Sequence, residues 1–200
     1  MSNNPKINSI LDEANRLFLK GKLREAISYY DQILEENPHH LGCLNNKGYA
    51  LSKLKDYDSA LQCYEYALEL DPNDFSVLVN KVSSLRKNGN FQEALSTCDL
   101  ILNSNKNYNI VLHHKERILL AMKKFDESII CCNIILNEYP NNGDILYDKA
   151  CNLVMLSKVD EALDNLEKCL TQGAQYKIKV KNSKFFEQIS KNQRFLKMLL

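Results

Sequence analysis

Apolar positions along this chain recur with two nested spacings. Over short windows they fall three or four residues apart, the signature of a helix that buries one face. Leu44, Lys47, Gly48 and Leu51 follow this rule, Lys55-Asp56 interrupts it, and Tyr57, Ala60, Leu61, Tyr64, Ala67 and Leu68 resume it. Asp71-Pro72-Asn73-Asp74 stops the second run, because proline lacks the amide hydrogen that a continuing helix needs. The predicted unit is an antiparallel helical hairpin, in which the small residues Gly48 and Ala60 let the two helices approach closely.

That hairpin then repeats. A small-residue column reads Ala26, Ala60, Ala94, Ser128 and Ala162, a period of 34 residues. Three places before it stand Leu23, Tyr57, Phe91, Phe125 and Val159, and four places after it Tyr30, Tyr64, Cys98, Cys132 and Leu166. Twelve places after it come Pro38, Pro72, Lys106, Pro140 and Ala174. A period of this length predicts stacked supersecondary units, each burying its apolar face on its neighbours. The terminal units then need caps. Asn4-Pro5 reads as a helix start, with proline in the first turn. Near the other end, residues 182–189 and 192–199 read as two short helices whose Phe185, Ile189, Phe195 and Leu199 cover the last hairpin.

The pattern resembles the tetratricopeptide repeat. Repeat 2 supplies Leu44, Gly48, Leu51, Ala60, Tyr64, Ala67 and Pro72 at the positions where that family places bulky, small, apolar and proline residues. Repeat 1 supplies Ile10, Ala14, Leu17, Ala26, Tyr30, Ile33 and Pro38. The resemblance implies an all-α fold, a right-handed superhelical solenoid of helix-turn-helix repeats. The expected organisation is a flexible N-terminus at 1–6, five repeats (7–40, 41–74, 75–108, 109–142 and 143–176) over 7–176, and a C-terminal helical cap at 177–200. The closing phrase KFFEQISKNQRFLKMLL resembles the end of many prokaryotic arrays of this kind, though it is more basic than those.

Departures from the family pattern carry their own expectations. Repeats 2–5 place Lys47, Lys81, Lys115 and Lys149 where a large apolar residue is usual. Their methylenes are expected to pack between helices while each ammonium reaches water or an acid. Repeat 4 has Glu116 and Ser128 where small residues belong, and repeat 3 has Lys106 in the proline column. Looser packing or a local bend is expected between repeats 3 and 4.

Composition narrows the function. Hydrophobic residues make up 44% of the chain, too many for wholesale disorder, and the formal net charge is only +1. Charge is unevenly placed: residues 176–200 hold seven Lys or Arg against one Glu, so the rest of the chain is net acidic. No stretch of 18 apolar residues marks a membrane span, and MSNNPKINS lacks the apolar core of a secretion signal. Seven cysteines without a CxxC pair suit reduced packing residues in a cytoplasmic protein.

No phosphate loop, dinucleotide fingerprint or HExxH motif occurs, so neither an enzyme nor a cofactor is expected. The pair His39-His40 follows Pro38 in a turn, and adjacent histidines, His113-His114 included, diverge, so no metal site is expected.

Binding is the expected activity. In the family the first helices of successive repeats line a concave groove, which here would carry Asn15, Asn45, Asn46, Tyr49, Lys53, Asn80, Arg86, Lys87, His114 and Arg117. Asparagine amides offer a donor and an acceptor to a peptide backbone of any sequence. Lys53, Arg86, Lys87 and Arg117 would make the middle of the groove basic, with Asp144 and Asp148 acidic at one end. The expected role is a protein–protein interaction adaptor that holds a peptide or partner surface, the partner's identity being open.

Family members that grip the acidic tails of chaperones use a five-residue carboxylate clamp. Its positions here hold Leu11, Asn15, Asn46, Ser76 and Asn80, without a cation, so no such clamp is expected. Two alternatives stand beside the groove. One is a structural subunit that self-associates or docks through its convex face or its basic cap. The other is weak binding of nucleic acid or an anionic surface by the basic C-terminus, which the overall charge does not favour.

Overall fold

The computed structural model describes residues 5–104 and 108–200, and within them the chain forms twelve α-helices, one 3-10 helix and no strand. Lys106 and residues 1–4 lie outside the described residues. The chain divides into two compact units, Met1–Lys106 and Asn107–Leu200. The fold is all-α, built in each unit from repeated helical hairpins.

The first unit contains α1 (Pro5–Leu19), α2 (Leu23–Glu36), α3 (Leu41–Lys53), α4 (Tyr57–Leu70), α5 (Phe75–Asn88) and α6 (Phe91–Asn103). Each helix packs on the next. Ala14, Leu17, Ala26, Tyr30, Ile33 and Cys43 form a buried cluster at its N-terminal end. Helix α1 starts at Pro5, as the proline suggested, and so takes in Lys6 from the stretch expected to be flexible; the Lys6 ammonium reaches Glu36.

The second unit contains α7 (Tyr108–Ala121), α8 (Phe125–Glu138), α9 (Gly143–Met155) and α10 (Val159–Leu170). They are followed by α11 (Ala174–Lys181), a 3-10 helix (Lys184–Ile189) and α12 (Gln193–Met198). Phe186, Ile189 and Phe195 are buried with Tyr147, Ala150, Leu153 and Leu166, so the closing segment continues the core of the last hairpin. Phe186 stands edge-on to Tyr147 at 5.7 Å, while Phe185 is only partly buried.

One backbone device recurs with the sequence period. Gly21, Lys55, Gly89, Lys123 and Ser157 all have positive φ, each just past the first helix of a hairpin. In each case the next amide reaches back to a leucine carbonyl: Lys22 to Leu17, Asp56 to Leu51, Asn90 to Leu85, Lys124 to Leu119 and Lys158 to Leu153. This is the six-to-one bond of a left-handed helix stop, which glycine accepts without strain. The opposite turn uses caps. His40, Asp74 and Asn142 accept from the backbone N–H three residues on and so open α3, α5 and α9.

Side-chain packing follows the columns. Adding a Cβ at Gly48 would bring it against the ring of Tyr64, which is completely buried. Lys47 pairs with Asp31 at 2.5 Å, and Lys81 with Glu93 at 2.9 Å and Glu65 at 3.6 Å. Both lysines are largely covered, so their stems serve as packing and their charges are held by neighbouring acids.

The looser packing or bend expected between repeats 3 and 4 rests in part on Glu116, which within the second unit is closely packed. Its side chain is 0% exposed, and Ser128 Oγ donates to the Glu116 backbone carbonyl at 3.1 Å and to its Oε1 at 3.3 Å. Glutamate and serine replace two small residues together, and the hydroxyl supplies a bond to the carboxyl that a methyl could not.

Candidate functional site

In the first unit, α1, α3 and α5 carry eight of the candidate groove residues. Their asparagines pair between hairpins. Asn46 Nδ2 donates to Asn15 Oδ1 at 3.2 Å, and Tyr30 donates its hydroxyl to the same oxygen at 2.8 Å. One hairpin further, Asn80 Nδ2 donates to Asn45 Oδ1 at 2.9 Å. All four asparagines are half-buried, and each amide nitrogen that donates has a second hydrogen to offer. The sequence suggested a ladder facing a ligand. In the structure the rungs also tie the hairpins together.

Beside the first pair lies a pocket of about 230 Å³ lined by Asn15, Phe18, Leu19, Tyr30, Asn46 and Tyr49. Phe18 and Tyr49 meet at 5.5 Å with tilted rings, and the Lys53 ammonium lies 5.2 Å from the Tyr49 ring centre. Leu19 is 84% exposed at the rim. The pocket therefore has apolar walls and an amide edge. Burial holds Lys87 below its ordinary pKa, and the charges of Lys53 and Arg86 lower it further, so three cations from α3 and α5 influence one another on this unit.

The second unit holds His114 and Arg117 on α7 and Asp144 and Asp148 on α9. Arg117 is not a spare groove cation as the sequence suggested, because its Nε stands 3.5 Å from Asp148 Oδ2. Nor does Asp148 offer an acidic groove end, being 3% exposed. Burial raises the Asp148 carboxyl above the usual aspartate range, against the pull of Arg117 and Lys179. Asp144 is held below the usual range by the Lys179 ammonium, 2.9 Å away. The same ammonium lies 4.0 Å from the centre of the Tyr147 ring. His114 is half-buried on α7.

Sequence reasoning missed one constellation. His113 and Glu116, a turn apart on α7, meet Asp148 of α9, with one potential ligand atom from each lying within 4.8 Å of the others. Looking for partners only between adjacent histidines hid this. The available signal was Glu116, a carboxylate in the column otherwise filled by Ala14, Gly48, Val82 and Ala150.

The basic C-terminus is partly neutralised by the fold. Arg194 binds Glu167 and Asp164 at 2.7–2.9 Å, and Lys179 binds Asp144. Phe186 and Phe195 are buried and cannot stack on bases. Among the described residues no helix is long and apolar enough to cross a membrane. All seven cysteines are buried thiols outside any disulfide; burial pushes the Cys43 and Cys169 thiols up to about 12.

Residues 43–74 match the family model described as tetratricopeptide repeat. That stretch of the chain carries a tetratricopeptide repeat. The fold of the chain is shared with MamA from Desulfovibrio magneticus, at a TM-score of 0.79 and 17% identity over 90% of this chain and 99% of that one. A tetratricopeptide repeat protein from Parabacteroides merdae gives a TM-score of 0.77 at 19% identity, covering 99% of this chain and 84% of its own. YrrB, described as a TPR protein with an unusual peptide-binding site, gives 0.69 at 18% identity over 87% and 91% of the two chains. At these identities the likeness is one of fold.

Proposed function

We propose that this protein is an adaptor that binds an acidic peptide segment of a protein partner on the α1, α3 and α5 face of its first unit. The observation that carries the reading is the placement of the Phe18–Tyr49 pocket and the Lys53, Arg86 and Lys87 cations on helices α1, α3 and α5. An apolar side chain of the ligand fills the pocket and sheds water, which is the main source of affinity. A carboxylate on the ligand relieves the mutual repulsion of the cations. The second hydrogens of the Asn46 and Asn80 amides bond the ligand backbone. No bond is made or broken; binding is the activity. YrrB, of the same fold, is described as having a peptide-binding site, which supports this class of ligand.

The test is peptide display against the full chain, followed by fluorescence anisotropy on the enriched sequences. Enriched peptides are expected to pair Asp or Glu with a large apolar residue. Lys53→Glu with Lys87→Glu is expected to abolish binding while the circular dichroism is unchanged. Enrichment of basic peptides, or binding that survives the charge reversal, would refute the reading.

A further inference from the structure

The second unit carries a cluster of different chemistry. We propose that His113, Glu116 and Asp148 form a binding site for a first-row divalent cation of the zinc class. Three features support it. The donors are one imidazole and two carboxylates, a mixed N/O set that suits zinc-like ions, and two carboxylate charges balance a divalent ion. Both carboxyl groups are buried, at 0% and 3% exposure, where two like charges side by side are costly unless a cation neutralises them, as Arg117 does in part beside Asp148. And Asp148 Oδ2, shut off from solvent, is met by the Arg117 guanidinium only at 3.5 Å, too long for a hydrogen bond.

The second sphere is already built. Ser128 Oγ donates to Glu116 Oε1 at 3.3 Å. Asn152 Nδ2 donates to Ser128 Oγ and to the Asp148 carbonyl, both at 2.9 Å, which fixes α8 and α9 around the cluster. Such partners orient ligands and hold their rotamers. Ligand bonds of about 2.1 Å place tetrahedral donors about 3.4 Å apart, so the side chains must close in by roughly an ångström. His113, half-buried, is the least buried of the three ligands.

Arg117 is the competitor. Its Nε sits 3.5 Å from Asp148 Oδ2, and its side chain is 39% exposed, so it can swing outward when a cation arrives. A purely structural ion pair would make Arg117 helpful to the site; a cation site makes it a rival.

The experiment titrates Zn²⁺ into the tag-free full chain by calorimetry, with a thermal melt of the same samples and the absorption spectrum of the Co²⁺ form. One equivalent is expected to bind and to raise Tm, with Mg²⁺ inert and no thiolate-to-cobalt band. His113→Ala, at a half-buried position and with unchanged circular dichroism, is expected to weaken binding by more than about tenfold, the least that losing even a second-sphere partner costs. Arg117→Gln is expected to bind more tightly than the wild type. Absence of saturable Zn²⁺ binding, wild-type affinity in His113→Ala, a thiolate band, or Arg117→Gln binding no tighter would each overturn the assignment.

Discussion

Gly48 and Tyr64 offer a direct measure of how closely the helices of one hairpin are packed. A methyl group at Gly48 would stand 2.6 Å from Tyr64 Cε1 and 3.0 Å from its Cδ1 and Cζ. Carbon pairs prefer about 3.5–4.0 Å, so the ring must retreat by roughly an ångström. The ring is 0% exposed, so that displacement is passed to its neighbours. Overpacking of this kind costs about 1–3 kcal/mol. Against it stands the helix preference for alanine over glycine, about 1 kcal/mol.

The single variant thus mixes two effects of opposite sign, and a double-mutant cycle separates them. In a Tyr64→Ala background the obstruction is gone, and Gly48→Ala is expected to stabilise by about 1 kcal/mol. In the wild-type background the same change loses that gain to the clash. The coupling between the two sites is expected to be about 1–3 kcal/mol. Urea unfolding of the four proteins, followed by circular dichroism, gives the four free energies. Coupling smaller than about 0.5 kcal/mol, the scatter expected of independent sites, would refute the close approach of α3 and α4 at this point.

The left-handed turns make a second set. Lys55→Gly, Lys123→Gly and Ser157→Gly are each expected to stabilise by about 0.5–1 kcal/mol, the relief of a positive φ less the extra entropy of unfolded glycine. Equal unfolding midpoints would refute it. Phe186→Ala, at 2% exposure, is expected to cost about 3–5 kcal/mol and to speed amide exchange in α12 and α10 before α7, which hydrogen-exchange mass spectrometry resolves. Asp144 and Glu167 are held below the ordinary 3.8 and 4.5 by Lys179 and Arg194. A carboxylate whose folded pKa is depressed adds stability above its unfolded pKa and loses it as pH falls through the folded one, so this support disappears on acidification below about pH 4. Lys179→Met is expected to return Asp144 to its ordinary titration by NMR; an unchanged midpoint would count against the pair. Finally, the buried cysteines should react with a thiol reagent only as the chain unfolds, all seven together in denaturant. A fast native phase would show an exposed thiol.

The sequence by itself determined the helices and their pairing. A three- and four-residue spacing nested in a 34-residue period leaves one economical way to bury Tyr30, Tyr64, Ala60 and Ala94. Those preferences act within a turn or within one hairpin, so a linear reading reaches them. Even the paired lysines followed, because a lysine in an apolar column must lead its ammonium out to something.

The partners of the site residues were decided only by tertiary structure. Asn46 meets Asn15 across 31 residues, Asn80 meets Asn45 across 35, and Arg117 meets Asp148 across another 31. Whether an inward side chain faces a ligand or its counterpart on the next hairpin depends on the few degrees by which one hairpin is turned on the last. No local pattern encodes that angle. Glu116 shows the same limit: read alone, it is a misfit in a small-residue column, and only when Ser128, Asn152, His113 and Asp148 close around it does its burial become intelligible. The period fixes where each side chain starts, and the stacking of the hairpins fixes what it meets.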